Sequence, residues 1–470
     1  MITSSLQSGN SEYRSITRTF AIFIISAITL LITLGCDPTP HTDSEYTAFV
    51  NVTVLPMDHE GALENQTVVV SNGRILEMGS ADDIDVPSSA YTIDGVGRFL
   101  MPGLAEMHGH IPGEDHPEYA KNVLFLYISN GVTTVRNMLG SPYHLELRDR
   151  VNAGELRGPR IFAASPWMHN DQVPENDDVR ELVKEYAETG FDLIKMGSIS
   201  PDRYQVMAET AHEVGIPFAG HIPPGVDLEG AIAAGQVSID HFDRYVEFLA
   251  DVNSAEVSTG FFGSSVMDQV DRSRIPLAVQ KTVDSGIWNV PTLSLIEHLA
   301  TTEPGEEMIE WPEMQYMPQD VLDGWVEFKN NIQARDDFQQ DTAQEMVSLR
   351  QELLRELHAA GAPIALGSDA PQFFNVPGFS IHHEMRMMVD AGLTPFEVLE
   401  TGTRKPAFYF GMEDDFGIVA PGMRADLILL NANPFEDIAH VKDRTGVMVN
   451  GRWFSEEAIQ DELRRMSRSN

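Results

Sequence analysis

Two histidines one residue apart, His108 and His110, close the run Phe99-Leu-Met-Pro-Gly-Leu-Ala-Glu-Met-His-Gly-His110. In a strand, alternate side chains share a face, so both imidazoles point the same way. Two imidazoles at the end of an apolar strand make half of a metal site. Four later apolar runs end in residues of the same chemical kind. Phe191–Met196 carries Lys195, Ile216 leads to His221, Val237 leads to His241, and Pro363 leads to Asp369. Each has a plain alternative. A strand-end histidine is more often a core or rim residue, an aspartate after Gly-Ser often caps a helix, and a lysine can reach solvent. Their joint recurrence at strand ends argues for one shared site.

Those runs alternate with amphipathic stretches from about 99 to 410. Strands are expected at Gly131–Arg136, Arg160–Ala164 and Ile287–Leu293 as well. Helices are expected at Val179–Thr189, Pro201–Val214, Leu228–Ala234 and Asp341–Ala360. With the strand bearing the histidine pair, eight βα units result, the load of an α/β (β/α)8 TIM barrel. Catalytic groups in such a barrel sit at the C-terminal strand ends. The stretch 251–340 is too long for a loop and is expected as a helical insertion, part of it overhanging the site or serving self-association. Residues 48–98 and 411–455 read as short strands and turns, which together would form one small β-sandwich from both chain ends. Arg136, Arg160, Tyr245 and His382 lie near strand ends or loops and are candidates to hold a substrate carboxylate.

The motifs Met-Pro-Gly-Leu104, Asp-Leu-Ile-Lys195, Ala-Gly-His221, Ser-Ile-Asp-His241, Leu-Gly-Ser-Asp369 and Gly422-Met-Arg-Ala-Asp-Leu-Ile-Leu429 resemble the amidohydrolase superfamily of metal-dependent hydrolases. The likeness is to its imidazolonepropionase-like and Xaa-Pro dipeptidase-like branch and covers about residues 48–455. Glu106 stands where the family usually has Asp, and Asp240 where Glu is common. The resemblance implies that His108, His110 and Asp369 hold one divalent ion, Zn first. It implies that His221 and His241 hold a second, and that Lys195, carboxylated by CO2, bridges them. A shared hydroxide would attack a carbonyl, with Asp369 as ligand and proton shuttle. The implied activity is hydrolysis of a C–N amide in a small molecule, such as an Xaa-Pro dipeptide or an N-acyl amino acid. Phosphotriester, lactone or cyclic-amide hydrolysis is the alternative on the same centre. A disused scaffold serving only for binding would be expected to lack a ligand, and none is missing.

The 470-residue chain is 42% hydrophobic and carries a formal net charge of −39, from 71 acidic and 32 basic residues. That excess argues against a nucleic-acid partner and for a strongly solvated surface. Arg14 and Arg18 precede an apolar run from Phe20 to Leu34, short for a bilayer span. It ends in Thr-Leu-Gly-Cys36, the only cysteine, so no intramolecular disulfide can form. Residues 1–36 resemble a bacterial lipoprotein signal, with Thr33 departing from its usual aliphatic residue. The expectation is an exported, membrane-anchored protein facing the periplasm or exterior, with residues 37–47 as tether.

Overall fold

The structure, a computed structural model, describes residues 44–467 apart from 255 and 258. The expected export signal lies outside these residues, as does the tether up to residue 43. Among the described residues no helix is long and apolar enough to cross a membrane.

The first strands are β1 (Tyr46–Val54), β2 (Leu63–Ser71), β3 (Arg74–Ser80), β4 (Tyr91–Asp94) and β5 (Phe99–Pro102). Strand β1 therefore takes over the last two positions expected as tether. The next seven are β6 (Leu104–Gly109), β7 (Val132–Asn137), β8 (Arg160–Ala163), β9 (Ile194–Met196), β10 (Phe218–Gly220), β11 (Ser238–Asp240) and β12 (Trp288–Val290). The chain ends with β13 (Leu427–Leu430), β14 (Arg444–Val449) and β15 (Arg452–Ser455).

Both chain ends build one sheet, in the order β15-β14-β13-β5-β1-β2-β3, with β4 beside β1. Asn72-Gly73 and Asn450-Gly451 make its two tight hairpins, with positive φ at both turn residues of each. Inside it pack Phe49, Val52, Val68, Leu100, Leu427, Leu429 and Met448, with the Trp453 ring edge-on to Phe49 at 5.4 Å. The expected sandwich is thus one continuous eight-stranded sheet. Its boundary also moves. The run from Phe99 is not a single barrel strand, because Leu100 pairs Leu429 in this sheet and the chain re-aims at Gly103. A Cβ on Gly103 would sit 2.2 Å from Thr133 Oγ1.

Strands β6-β7-β8 form one parallel sheet and β9-β10-β11-β12 another. Single parallel bridges span the gaps: Ala164 to Leu193, Asn289 to Ile364, and Gly109 to Ala370. The expected strand at Pro363–Asp369 forms no ladder, although Asn289 and Met107 bond to it. Two features interrupt it: Gly367 lies so close to β6 that a Cβ would meet His108 N at 2.7 Å, and Asp369 has φ 65°. The expected strand at 287–293 is likewise shorter, because Leu293 already opens the helix Leu293–Ala300.

Helices follow the strands with local punctuation. Pro201 begins Pro201–Val214 and Gly215, at φ 75°, ends it. Thr394 and Glu397 form a capping box for Pro395–Gly402. Within 251–340, β12 and its flanking helices continue the βα alternation. The added pieces are the 3-10 segment Phe261–Gln269 and the run from Gly305 through the helix Gln319–Gln333.

Candidate metal centre

Strand β6 delivers His108 at its end and His110 just beyond it. Asp369 N donates to His108 O at 2.7 Å, and His110 N to Ala370 O at 2.7 Å, which locks the two segments together. Asp369 Oδ1 is consequently 2.7 Å from His110 Nε2 and 3.4 Å from His108 Nε2. One donor atom each of His108, His110 and Asp369 lies within 4.8 Å of the others. Asp369 Oδ2 faces His241 Nε2 at 3.8 Å. Lys195 Nζ, from β9, is 3.5 Å from His108 Nε2. His221, after β10, stacks on the His241 ring at 4.8 Å. All six residues singled out from the sequence thus form one connected cluster.

Two of the four histidines, His221 and His241, are hydrogen-bonded from behind through Nδ1, and His108 has only a carboxylate close beside its Nδ1. Asp240 Oδ2 lies 2.8 Å from His108 Nδ1, Asp243 Oδ2 is 2.9 Å from His221 Nδ1, and Thr292 Oγ1 is 2.6 Å from His241 Nδ1. This bracing fixes the tautomer and leaves Nε2 free for a cation. Burial holds His108 and His241 well below the ordinary imidazole range, in the neutral form that ligates metals. Burial alone would raise the Asp243 pKa, but neighbouring His221 more than reverses this and brings it to about 2. Burial lowers the Lys195 pKa, opposed by Asp240 and Asp369.

The pocket around Lys195 is shaped by an absence. Gly220 has φ 109°, and a Cβ there would meet Lys195 Cδ, Nζ and Cε at 2.8–3.1 Å. Beneath the centre, Arg136 is fully buried. It donates to Asp240 Oδ1 at 3.1 Å, Ser238 Oγ at 2.9 Å and Tyr409 Oη at 2.7 Å. Glu106 takes bonds from Ser368 N at 2.7 Å, Ser368 Oγ at 2.6 Å and His108 N at 3.2 Å. Burial raises its pKa to about 8. It therefore ties β6 to the Asp369 loop.

Three of the four residues considered for a substrate carboxylate are engaged elsewhere, and the fourth, His382, is buried with neither ring nitrogen hydrogen-bonded. Arg136 is the partner of Asp240. Arg160 pairs with Asp426 in the composite sheet at 3.1 Å. Tyr245 bonds Thr282 at 2.7 Å within the core. His382 is buried in the helix Ser380–Asp390. Pattern reading missed Asp243 and Thr292, and gave Asp240 no task beyond flanking the site. Asp243 and Thr292 follow strand ends that it had flagged, and that proximity was the available clue.

Two parts of the 251–340 stretch reach the histidines. Pro318, Asp320 and Val321 share with His110, His116 and Tyr119 a cavity of about 340 Å³. The Phe262 ring lies 5.8 Å from that of His241. The donor set fits divalent cations: inward imidazole nitrogens, a carboxylate in reach of three of them, and a buried lysine with room made for it.

Comparison with known proteins agrees with this architecture. Ochratoxinase of Aspergillus niger is 22% identical over 457 residues, spanning 82% of this chain and 81% of that protein. A crystal structure of a Xaa-Pro dipeptidase with bound methionine superposes with a TM-score of 0.64 at 20% identity, over 87% of this chain and 100% of that one. Bottromycin amidohydrolase gives 0.68 at 20% identity, over 90% of this chain and 91% of the other. These structural likenesses show the fold, an α/β barrel type with an added β-rich domain. The model described as "Amidohydrolase family" matches residues 99–454, from the strand before the histidine pair to the last strand of the composite sheet, and the chain therefore belongs to the amidohydrolase family.

Proposed function

We propose that this protein hydrolyses the amide bond of a small dipeptide or N-acyl amino acid at the His108/Asp369 centre. The observation that carries this is the connected six-residue cluster, with His221 and His241 hydrogen-bonded through Nδ1. Family membership supports the coarser statement, a hydrolase acting on amide or other C–N bonds, and the family typically uses a divalent metal centre. His108, His110 and Asp369 would hold one ion, His221 and His241 a second, with Lys195 between them as a carbamate. Ions bound there supply Lewis acidity and ease the deprotonation of water near neutral pH.

The chain's own groups do the rest. Asp369, with one oxygen toward His110 and the other toward His241, accepts the proton of the attacking water. It then delivers that proton to the amine nitrogen as the C–N bond breaks. Asp243 and Thr292 hold the His221 and His241 rings through Nδ1, and burial keeps His108 and His241 neutral. The 340 Å³ cavity beside His110 suits a small substrate. The scaffold we read as a closed (β/α)8 barrel, supported by the Ala164–Leu193 bridge between its two parallel sheets and by the bridges that tie Ile364 and Ala370 to one sheet each. Residues 1–36 we read as an export and lipid-anchoring segment, supported by Cys36 behind an apolar run.

The test is a panel of dipeptides and N-acyl amino acids assayed with Zn, for wild type and Lys195→Ala. Metal-dependent turnover that the variant loses is expected. No amide turnover across the panel overturns the reading.

A further inference from the structure

Asp320 stands in the first turn of the helix Gln319–Gln333, inside the stretch 251–340. It borders the cavity of about 340 Å³ that also reaches His110, His116 and Tyr119. Asp320 is exposed, and its carboxylate makes no hydrogen bond or ion pair among the described residues. Burial, and after it the charge of Asp320, raises the Tyr119 pKa, so this carboxylate acts on the cavity wall. Tyr119 Oη is turned to Met317 Sδ, 4.0 Å away, and does not bond Asp320. A first-turn position favours a negative charge, but it supplies no cationic partner.

No lysine or arginine lines the cavity. Lys121, on the helix Pro117–Ser129 that carries Tyr119, is committed to Glu118 at 2.6 Å. The loop before that helix adds the exposed Glu114 and Asp115. These charges give the mouth a negative potential. Much of the remaining wall is apolar, with Ile111, Leu139, Pro318 and Val321. Leu139 is 41% exposed, so part of this apolar surface is open to a ligand. An apolar wall with one unpaired carboxylate complements an alkyl chain that ends in an ammonium. Such a chain lays its methylenes on apolar surface and brings its charge to the acid.

We propose that this cavity is an alkylammonium subsite beside the metal centre, with Asp320 as the residue that selects the positive charge. His110 joins the cavity to Asp369, 2.7 Å from its Nε2, so a group held there lies next to the centre. The ammonium comes either from a lysine-type side chain of the substrate, which rests on the function proposed above, or from a free amine, which does not.

The test uses the full protein with its metal, and n-butylammonium chloride as probe, exchanged against sodium chloride at constant ionic strength. Butylammonium should raise the wild-type melting temperature saturably. Asp320→Asn should abolish the shift and Asp320→Glu should keep most of it. Both change an exposed side chain without partners, so both variants should fold. The second arm compares amide substrates carrying lysine with the same substrates carrying norleucine, which keeps the alkyl chain and drops the charge. If the substrate supplies the ammonium, kcat/KM is about fivefold higher for lysine, the worth of a partly exposed ion pair. High salt then shrinks that preference, Asp320→Asn erases it, and butylammonium competes with the lysine substrate. If a free amine is bound, Asp320→Asn leaves the lysine-to-norleucine ratio unchanged and butylammonium affects both substrates alike. A melting shift that Asp320→Asn retains overturns the proposal, because it reports cation binding elsewhere on this acidic chain. So does the absence of any shift in wild type, when the lysine-to-norleucine ratio is unchanged in Asp320→Asn or there is no turnover to compare. Loss of all amide turnover would sink the function proposed above but leave the melting shift to decide this proposal.

Discussion

Replacing Arg136 by Met should destabilise the fold far beyond the loss of a surface charge. Arg136 and Asp240 are both fully buried and 3.1 Å apart. Removing the guanidinium leaves a carboxylate with Lys195 Nζ, 4.0 Å away, as its nearest remaining ammonium or guanidinium group. Breaking a buried pair from one side costs about 3–5 kcal/mol, mainly because the abandoned charge stays desolvated. At a urea m-value of about 3 kcal/mol/M, the midpoint should fall by about 1 M or more. The assay is urea denaturation of the metal-free protein, followed by tryptophan fluorescence. Asp240→Asn in the same background should recover part of the loss, with a coupling of about 1–3 kcal/mol between the two sites. A single variant within about 1 kcal/mol of wild type, or strictly additive losses, would refute the claim that these charges depend on each other.

Two further outcomes follow from buried groups. Gly220→Ala places a methyl 2.8–3.1 Å from three Lys195 atoms at a φ of 109°. Metal content by elemental analysis should drop well below that of wild type, and full retention would show that Lys195 does not need that space. Glu384 caps Leu293 N and Ser294 N at 2.9 and 2.8 Å, and burial raises its pKa from 4.5 to about 7. Between those pH values the folded protein holds this proton more tightly than the unfolded chain, so its contribution to stability declines as pH rises and is level above about 7. The decline amounts to about 3 kcal/mol. Glu384→Gln should remove it, and a wild-type-minus-variant stability difference that is constant from pH 5 to 8 would contradict this.

The centre was legible because its donors obey a local rule. His108 and His110 follow the strand period, and Lys195, His221, His241 and Asp369 sit at or near the ends of apolar runs. The bracing groups obey no such rule. Asp243 and Thr292 are recruited by left-handed turns at His241, Phe242 and Thr292 itself, and sequence pattern does not encode such turns. Arg136 was misjudged for a related reason. It lies near the end of an apolar run and so was a candidate for a substrate carboxylate, but only the fold shows it paired with Asp240. The segment 363–369 read as a strand because it is apolar, and its Gly-Ser-Asp ending then withheld the ladder that composition promised.

The pairing of β5 with β13 has a temporal side. Leu427 bonds opposite Pro102, roughly 325 residues after it in the chain. At about 5–20 residues per second, a ribosome takes on the order of 15–65 s to supply the partner. During that interval Phe99–Pro102 offers a bare backbone edge that any passing strand could occupy. A nascent chain halted before residue 427 should therefore bind extended-segment holdases and aggregate when released, whereas one completed through residue 455 should do neither.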